Sequence, residues 1–285
     1  MSTDNRPVHI VTDSTADLTH DLIGNLPITV VPLSVEIAGQ TFRDGIDLSR
    51  EEFVAHLRRG ALPRTSQPSI GAFQETYQPL LSAGHDIVSI HIAHQLSGTL
   101  NSATQASKAI ESNRIHLVDT GTVTMGSGFL VLEAAEMARD GGNASEIAAF
   151  LEVRKADQRV FATLETLEYL QKGGRIGRAA AMLGSALQLK PIVQVRDGGV
   201  EPVERVRTYR KALDRLATIY SEQAPFDRVA VMHLGAPQEA EKLAARVQEH
   251  QPELTIVTGQ IGTVIGTYGG PGLAGFAGLV STARD

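Results

Sequence analysis

The sequence predicts an α/β protein whose first half is a mostly parallel sheet flanked by helices. Its second half holds strands and helices in a less regular, mixed order. Three observations carry this. Short, β-branched apolar runs alternate with amphipathic stretches. Helix-start signals recur where the amphipathic stretches begin. The charged segment VRKADQR (153–159) then interrupts the pattern and places a boundary near residues 156–158. The expected division is an N-terminal α/β domain, 1–157, and a C-terminal α/β domain, 158–285.

The elements follow in order. VHIVTD (8–13), ITVVPLSVEIAG (28–39), DIVSIHIA (86–93) and IHLVDT (115–120) read as strands. Ser14 with Asp17 and Ser49 with Glu52 have capping-box spacing, and Asn143 with Glu146 is a looser version. This βαβα order gives a parallel sheet covered on both faces. EIAGQTFRD (36–44) reads as a hairpin turning at Ala38-Gly39. In the second half RVFATLE (159–165), RVAVMHLGA (228–236) and LTIVTGQIG (254–262) read as strands. PIVQVRDGGVEPVERV (191–206) reads as a hairpin turning at Asp197-Gly198-Gly199, and helices fall near 208–222 and 237–249. The uncharged stretch Leu254–Ala283 contains many glycines and Pro271, so it reads as a strand, a turn and a small-residue helix buried in protein rather than a membrane span.

Composition narrows the chemistry. The 285 residues contain no cysteine, which excludes disulfides, thiolate metal sites and cysteine nucleophiles and fits a reducing cytoplasm. The polar MSTDNRP start does not resemble a secretory leader, so a cytoplasmic location is expected. A net charge of −6 argues against general nucleic-acid binding. Between Lys172 and Arg215, however, ten Lys and Arg face four Asp and Glu, a local +6 that leaves −12 elsewhere. A solvated basic face and a docking surface for an acidic partner both fit it.

In an open parallel sheet, ligands collect beyond the carboxyl ends of the strands. TDST (12–15), HQLSGT (94–99) and DTGT (119–122) follow three of the predicted strands and are rich in hydroxyls. TSQPS (65–69) adds a fourth cluster: Ser69 suits a helix N-cap, and Thr65 and Ser66 fall on a loop ahead of it. Each cluster by itself reads as caps and turns; together they mark a site. Catalytic patterns mostly fail. GTVTMGS (121–127) has P-loop glycine spacing without the lysine. GPGLAG (270–275) matches the dinucleotide glycines, but it lies too near the end of the chain for a βαβ unit to follow. His91 and His94 allow a metal pair, and His94 lies three residues before Ser97, which allows a nucleophile and a base. Neither reading has a third group to complete it, and no metal or cofactor is expected.

Seven pieces in order, TDSTADL (12–18), DGIDLS (44–49), TSQPS (65–69), LSGTLNSA (96–103), KGGRIG (172–177), KP (190–191) and IGT..GGPG..G (265–275), resemble the DegV family over about residues 8–280. Members bind fatty acids, and some present the lipid to a separate kinase that phosphorylates its carboxyl group. The resemblance implies two α/β domains with the acyl chain enclosed between them. It assigns the head group to Thr65, Ser66, Ser97, Gly98, Thr99, Tyr268 and Gly269, and partner docking to Arg207 and Arg175. One position departs from the pattern. Family members commonly carry a histidine just ahead of the GPG turn, where this chain has Tyr268. A phenol donates a hydrogen bond but, unlike imidazole, takes up no proton near neutral pH. The leading expectation is a long-chain fatty-acid carrier without catalysis of its own. The competing ones are a hydrolase using Ser97 with His94, a phosphotransferase at the same site, and an interaction module whose pocket is incidental.

Overall fold

A parallel sheet and a mixed sheet face each other across one buried helix in the computed structural model, which describes residues 6–184 and 189–282. Strands β1 (Val8–Asp13), β2 (Ile28–Val31), β6 (Asp86–His91) and β7 (Ile115–Asp119) form the parallel sheet in the order β2-β1-β6-β7. The mixed sheet runs β10-β9-β8-β13-β11-β12. Its strands are β8 (Gln158–Thr163), β9 (Lys190–Arg196), β10 (Gly199–Val206), β11 (Phe226–Leu234), β12 (Ile256–Gln260) and β13 (Leu273–Val280). A third, antiparallel sheet has the order β4-β3-β5, from β3 (Ser34–Ile37), β4 (Gln40–Arg43) and β5 (Arg64–Ser66).

Helices α3 (Ile70–Ser82) and α4 (Thr99–Ile110) pack on one side of the parallel sheet, and α5 (Thr124–Arg139) and α6 (Ala144–Arg154) on the other. Helices α8 (Tyr209–Gln223) and α9 (Pro237–His250) cover the far face of the mixed sheet. Shorter helices α1 (His20–Ile23), α2 (Arg50–Arg58), α7 (Glu168–Lys172) and α10 (Thr263–Gly269) complete the set. Helix α5 touches β1 on one side and β13 on the other. It is therefore apolar or small nearly all round, TMGSGFLVLEAA, rather than striped, and is buried from Thr124 to Leu132. At the end of α6 the buried Arg154 guanidinium donates to Glu133, Asp157, Asp227 and the Val280 carbonyl, tying α5 and α6 to the mixed sheet.

Both predicted hairpins form, turning at Ala38-Gly39 (φ 52° and 79°) and Asp197-Gly198 (φ 49° and 77°), the paired positive φ of a tight type I′ turn. The capping boxes of α2 and α6 form as read. Four expectations are corrected. The run 28–39 is two strands in two sheets, because Pro32 has no N–H to continue a ladder. Ser14 and Asp17 make no capping box: Asp13 caps a short 3₁₀ turn over Ser14–Ala16, the Ser14 hydroxyl accepts from Leu33 N, and the Asp17 carboxylate points elsewhere. Thr65 and Ser66 lie in β5, paired with Val35 and Ser34, rather than on a loop. The stretch 254–283 holds the expected strand, small-residue helix (α10) and turn, but the helix precedes the GPG turn and a further strand follows it, the central β13, antiparallel to β8 and β11. Its small residues have a steric cause. A Cβ at Gly275 would fall 2.1 Å from the Phe161 carbonyl oxygen and 2.7 Å from Ala162 Cα. Since the obstacle is backbone, Gly275→Ala is expected to lower the unfolding free energy by about 3 kcal/mol in a urea titration, with the folding transition still cooperative.

Candidate functional site

A cavity opens where β5, the start of α4, the loop after α7 and helix α10 meet, and runs inward between α5 and the mixed sheet. Thr65, Gln67, Ser97, Arg175 and Tyr268, most of its polar lining, lie at the partly exposed end, and Thr124 is the one buried polar side chain of the lining among the described residues. Its inner walls are apolar, with Ile92, Val160, Val193, Met232, Ile261 and Leu273 among them.

The polar end is a ring of contacts between segments far apart in sequence. Alternation along β5 leaves Ser66 exposed and turns Thr65 inward, where its hydroxyl lies 2.5 Å from that of Tyr268. The Arg175 guanidinium stands 5.1 Å from the centre of the Tyr268 ring and donates to the Leu96 carbonyl at 3.1 Å, one residue before Ser97. The Ser97 hydroxyl pairs with that of Thr99 at 2.8 Å and accepts from Thr99 N at 3.3 Å. Gly98 then closes the ring against Gln67: a Cβ there would lie 2.6 Å from Gln67 Nε2. Of the expected residues, Thr65, Ser97, Tyr268 and Gly269 line the cavity. Gly98 and Thr99 lie outside the lining, and Thr99 hydrogen-bonds Ser97. Ser66 lies outside the lining, as does Arg207, exposed between β10 and α8. Arg175, expected at a docking surface, also lines the mouth of the cavity.

The two histidine pairings do not form. His91 is fully buried, with Nδ1 2.9 Å from Asp13 Oδ2 and Nε2 2.7 Å from the Ser89 hydroxyl, which in turn pairs with Tyr77 at 2.7 Å. His94 is exposed, and its Nδ1 lies 2.5 Å from Asp119 Oδ2. Both hydrogen bonds of the Ser97 hydroxyl involve Thr99, and neither involves His94. Among the described residues, no cluster of three or more His, Asp or Glu is placed to hold a metal ion.

Two carboxylates, Asp17, expected only in a capping box, and Asp44, quoted in a motif without a role, meet beside the site. Asp17 Oδ1 accepts from Gly262 N at 2.8 Å, and its Oδ2 accepts from the Thr124 hydroxyl at 2.5 Å. Asp44 Oδ1 accepts from both the amide and the hydroxyl of Thr263 at 2.8 Å. Both carboxylates are buried at the start of α10. Burial, reinforced by the neighbouring Asp44, pushes the Asp17 carboxyl up to about 7, against the opposing hydrogen bonds from Thr124 and Gly262 and the charge of Arg50. The pattern of acidic residues in TDSTADL and DGIDLS was visible in the sequence, but nothing in it paired them with Gly262 and Thr263.

The model of the DegV family of uncharacterised proteins matches residues 7–280. A DegV domain-containing protein of Streptomyces coelicolor is 40% identical over 275 residues, covering 95% of this chain and 97% of its own. Protein DegV of Bacillus subtilis is 32% identical over 273 residues, covering 94% and 97%. A solved structure described as fatty acid binding of a DegV family protein from Thermus thermophilus superposes with a TM-score of 0.90 at 34% identity, over 97% of this chain and all of that one. The structure of DegV from Bacillus subtilis, described as a fatty acid binding protein, gives 0.85 at 31% identity over 97% and 100%.

Two measurements check this geometry. Tyr268→Phe and Thr65→Val are each expected to cost about 1 kcal/mol of stability, and a double-mutant cycle to recover most of that as coupling. Asp17 gives a signed pH effect. Its proton is held more tightly in the folded protein than at the unfolded value of 3.8, so its contribution is complete below that pH and is lost as pH rises through about 7. The difference in unfolding free energy between wild type and Asp17→Asn is therefore expected to shift against wild type from pH 4 to 7. A pH-independent difference would contradict the assignment.

Proposed function

From the premise that the chain belongs to the DegV family, we propose that it binds a long-chain fatty acid, with the acyl chain in the apolar part of the cavity and the carboxyl group at the hydroxyl ring. The observation that carries this is the polarity of the cavity: most of its polar side chains, hydroxyl and guanidinium groups among them, gather at its exposed end, and the rest of the lining is apolar or glycine save for Thr124, whose hydroxyl donates to Asp17. Thr65, Ser97 and Tyr268 hold the carboxylate, with Arg175 supplying positive charge; Gly98, Thr99 and Gly269 shape the site, and Ser66 contributes through the backbone of β5. Hydrogen bonds to a charged acceptor are worth about 1.5–3 kcal/mol each, enough to fix the head group in position. The tail supplies most of the affinity: about 14 buried methylenes at ~0.8 kcal/mol each amount to about 11 kcal/mol before the costs of association.

In this reading the chain is a carrier in the cytoplasm and has no catalysis of its own. Its two units, 1–157 and 158–285, enclose the ligand between them. Arg207, within the basic segment, faces a separate fatty acid kinase to which the lipid is presented for phosphorylation of its carboxyl group. The absence of cysteine supports the location, and no helix of the described residues is long and apolar enough to cross a membrane.

The test is mass spectrometry of the purified protein, native and then after organic extraction. A fatty acid at near one-to-one stoichiometry is expected, lost in the Thr65→Ala, Ser97→Ala double variant. A protein that arrives empty and takes up no added fatty acid would overturn the reading.

A further inference from the structure

Helix α10 carries Tyr268 and Gly269 into the cavity, yet it is only seven residues long and its N-cap, Gly262, has no side chain with which to cap it. The missing caps come from two distant segments. Asp17, just after the 3₁₀ turn beyond β1, binds the amide of Gly262. Asp44, at the end of β4, binds the amide and hydroxyl of Thr263. Gly262 is what lets both approach: a Cβ there would lie 2.8 Å from Asp17 Oδ1 and 3.1 Å from Asp44 Oδ1. Asp44 is itself fixed, since its amide donates to the Leu33 carbonyl at 2.8 Å. The sheet whose strand β4 leads directly into Asp44 also contains Thr65, the hydrogen-bond partner of Tyr268. One small sheet thus grips α10 at both ends.

We propose that Asp17 and Asp44 are positioning residues for the head-group site, holding the first turn of α10 so that the Tyr268 hydroxyl reaches Thr65 and the ligand carboxylate. This rests on the fatty-acid reading above and adds a regulator to it. The groups facing the Asp17 carboxyl are Asp44 beyond β4, Arg50 at the start of α2, the Thr124 hydroxyl of α5 and the Gly262 amide. The second buried negative charge beside Asp44 forms only as pH rises through about 7. A carboxyl that resists ionisation in the closed arrangement, and ionises at its ordinary value once α10 has moved away, makes rising pH favour the open arrangement until the closed form also ionises near 7. From pH 6 upward, fatty-acid affinity therefore falls as pH rises through about 7 and levels off above it. A carboxylate ligand is already ionised there in solution, so its own titration does not supply that fall.

The experiment measures the Kd for palmitate on the full chain from pH 6 to 8.5, in wild type, Asp17→Asn, Asp44→Ala, Asp44→Asn and Thr263→Val. Wild-type Kd is expected to rise at least fivefold across the range, and Asp17→Asn to give a flat profile. At pH 6, Asp44→Ala is expected to weaken binding at least tenfold. Asp44→Asn should recover part of the loss, because the amide oxygen can still accept from Thr263. Thr263→Val, which removes one donor and conserves shape, is expected to weaken binding threefold or more and decides the matter if Asp44→Ala does not fold. Superimposable pH profiles for wild type and Asp17→Asn, or wild-type affinity in Thr263→Val, would overturn the proposal with the carrier reading intact. Failure of the wild type to bind palmitate at any pH would overturn both.

Discussion

The placement of α10 is the constraint on which the site depends. A helix of seven residues cannot hold itself in position, since nucleation is unfavourable and most of its backbone groups are terminal. Here the amides at its start are satisfied by carboxylates from two other segments, and Tyr268, near its end, is bonded to Thr65. These contacts join residues more than 200 positions apart in sequence. The cavity mouth is therefore a product of tertiary structure. No contiguous stretch contains it.

The same closure explains why buried acids are kept at a place where apolar residues would cost less. Desolvating a carboxylate is expensive, and the raised Asp17 carboxyl is the direct expression of that cost. In exchange, hydrogen bonds to the Gly262 and Thr263 amides fix direction as well as distance, which apolar packing does not. Helix α5 contributes the complementary rigidity. Packed between the two sheets and small or apolar nearly all round, it forms one wall of the cavity through Val123 and Thr124, and Thr124 hands its hydroxyl to Asp17. Cavity wall, clamp and helix α10 are one connected unit.

Much of this was legible in the sequence, and what was not has physical reasons. The alternation of β-branched runs with capped amphipathic stretches identified the parallel sheet, because period and caps are local properties. The hairpins at Ala38-Gly39 and Asp197-Gly198 were legible for the same reason, as paired positive φ demands those residues. Strand β13 was not legible. Its Gly275 and Gly278 are dictated by the backbones of β8 and β11, so its composition reports its neighbours rather than its own conformation. β5 was hidden by its length of three residues, which leaves no period to read. In the site, Thr65, Ser97 and Tyr268 came from motif resemblance, whereas Asp17 and Asp44 look like ordinary turn acids until the fold brings them to Gly262.

The hydroxyls of the ring bond to one another rather than to a base. A serine becomes a nucleophile when a base within hydrogen-bond reach takes its proton. Ser97 instead bonds to Thr99, and His94 turns to Asp119. The molecule does contain an aspartate, a histidine and a serine in relay, Asp13, His91 and Ser89, at 2.9 and 2.7 Å. That relay is sealed: all three residues are buried, Tyr77 closes the serine end, and none of them lines the cavity. Its second partner explains its presence. Asp13 Oδ2 also accepts from Ile92 N, locking the carboxyl ends of β1 and β6 together at the edge from which HQLSGT departs toward the site. Geometry that would read as catalytic in a cleft here serves to aim a loop, and burial is what separates the two meanings.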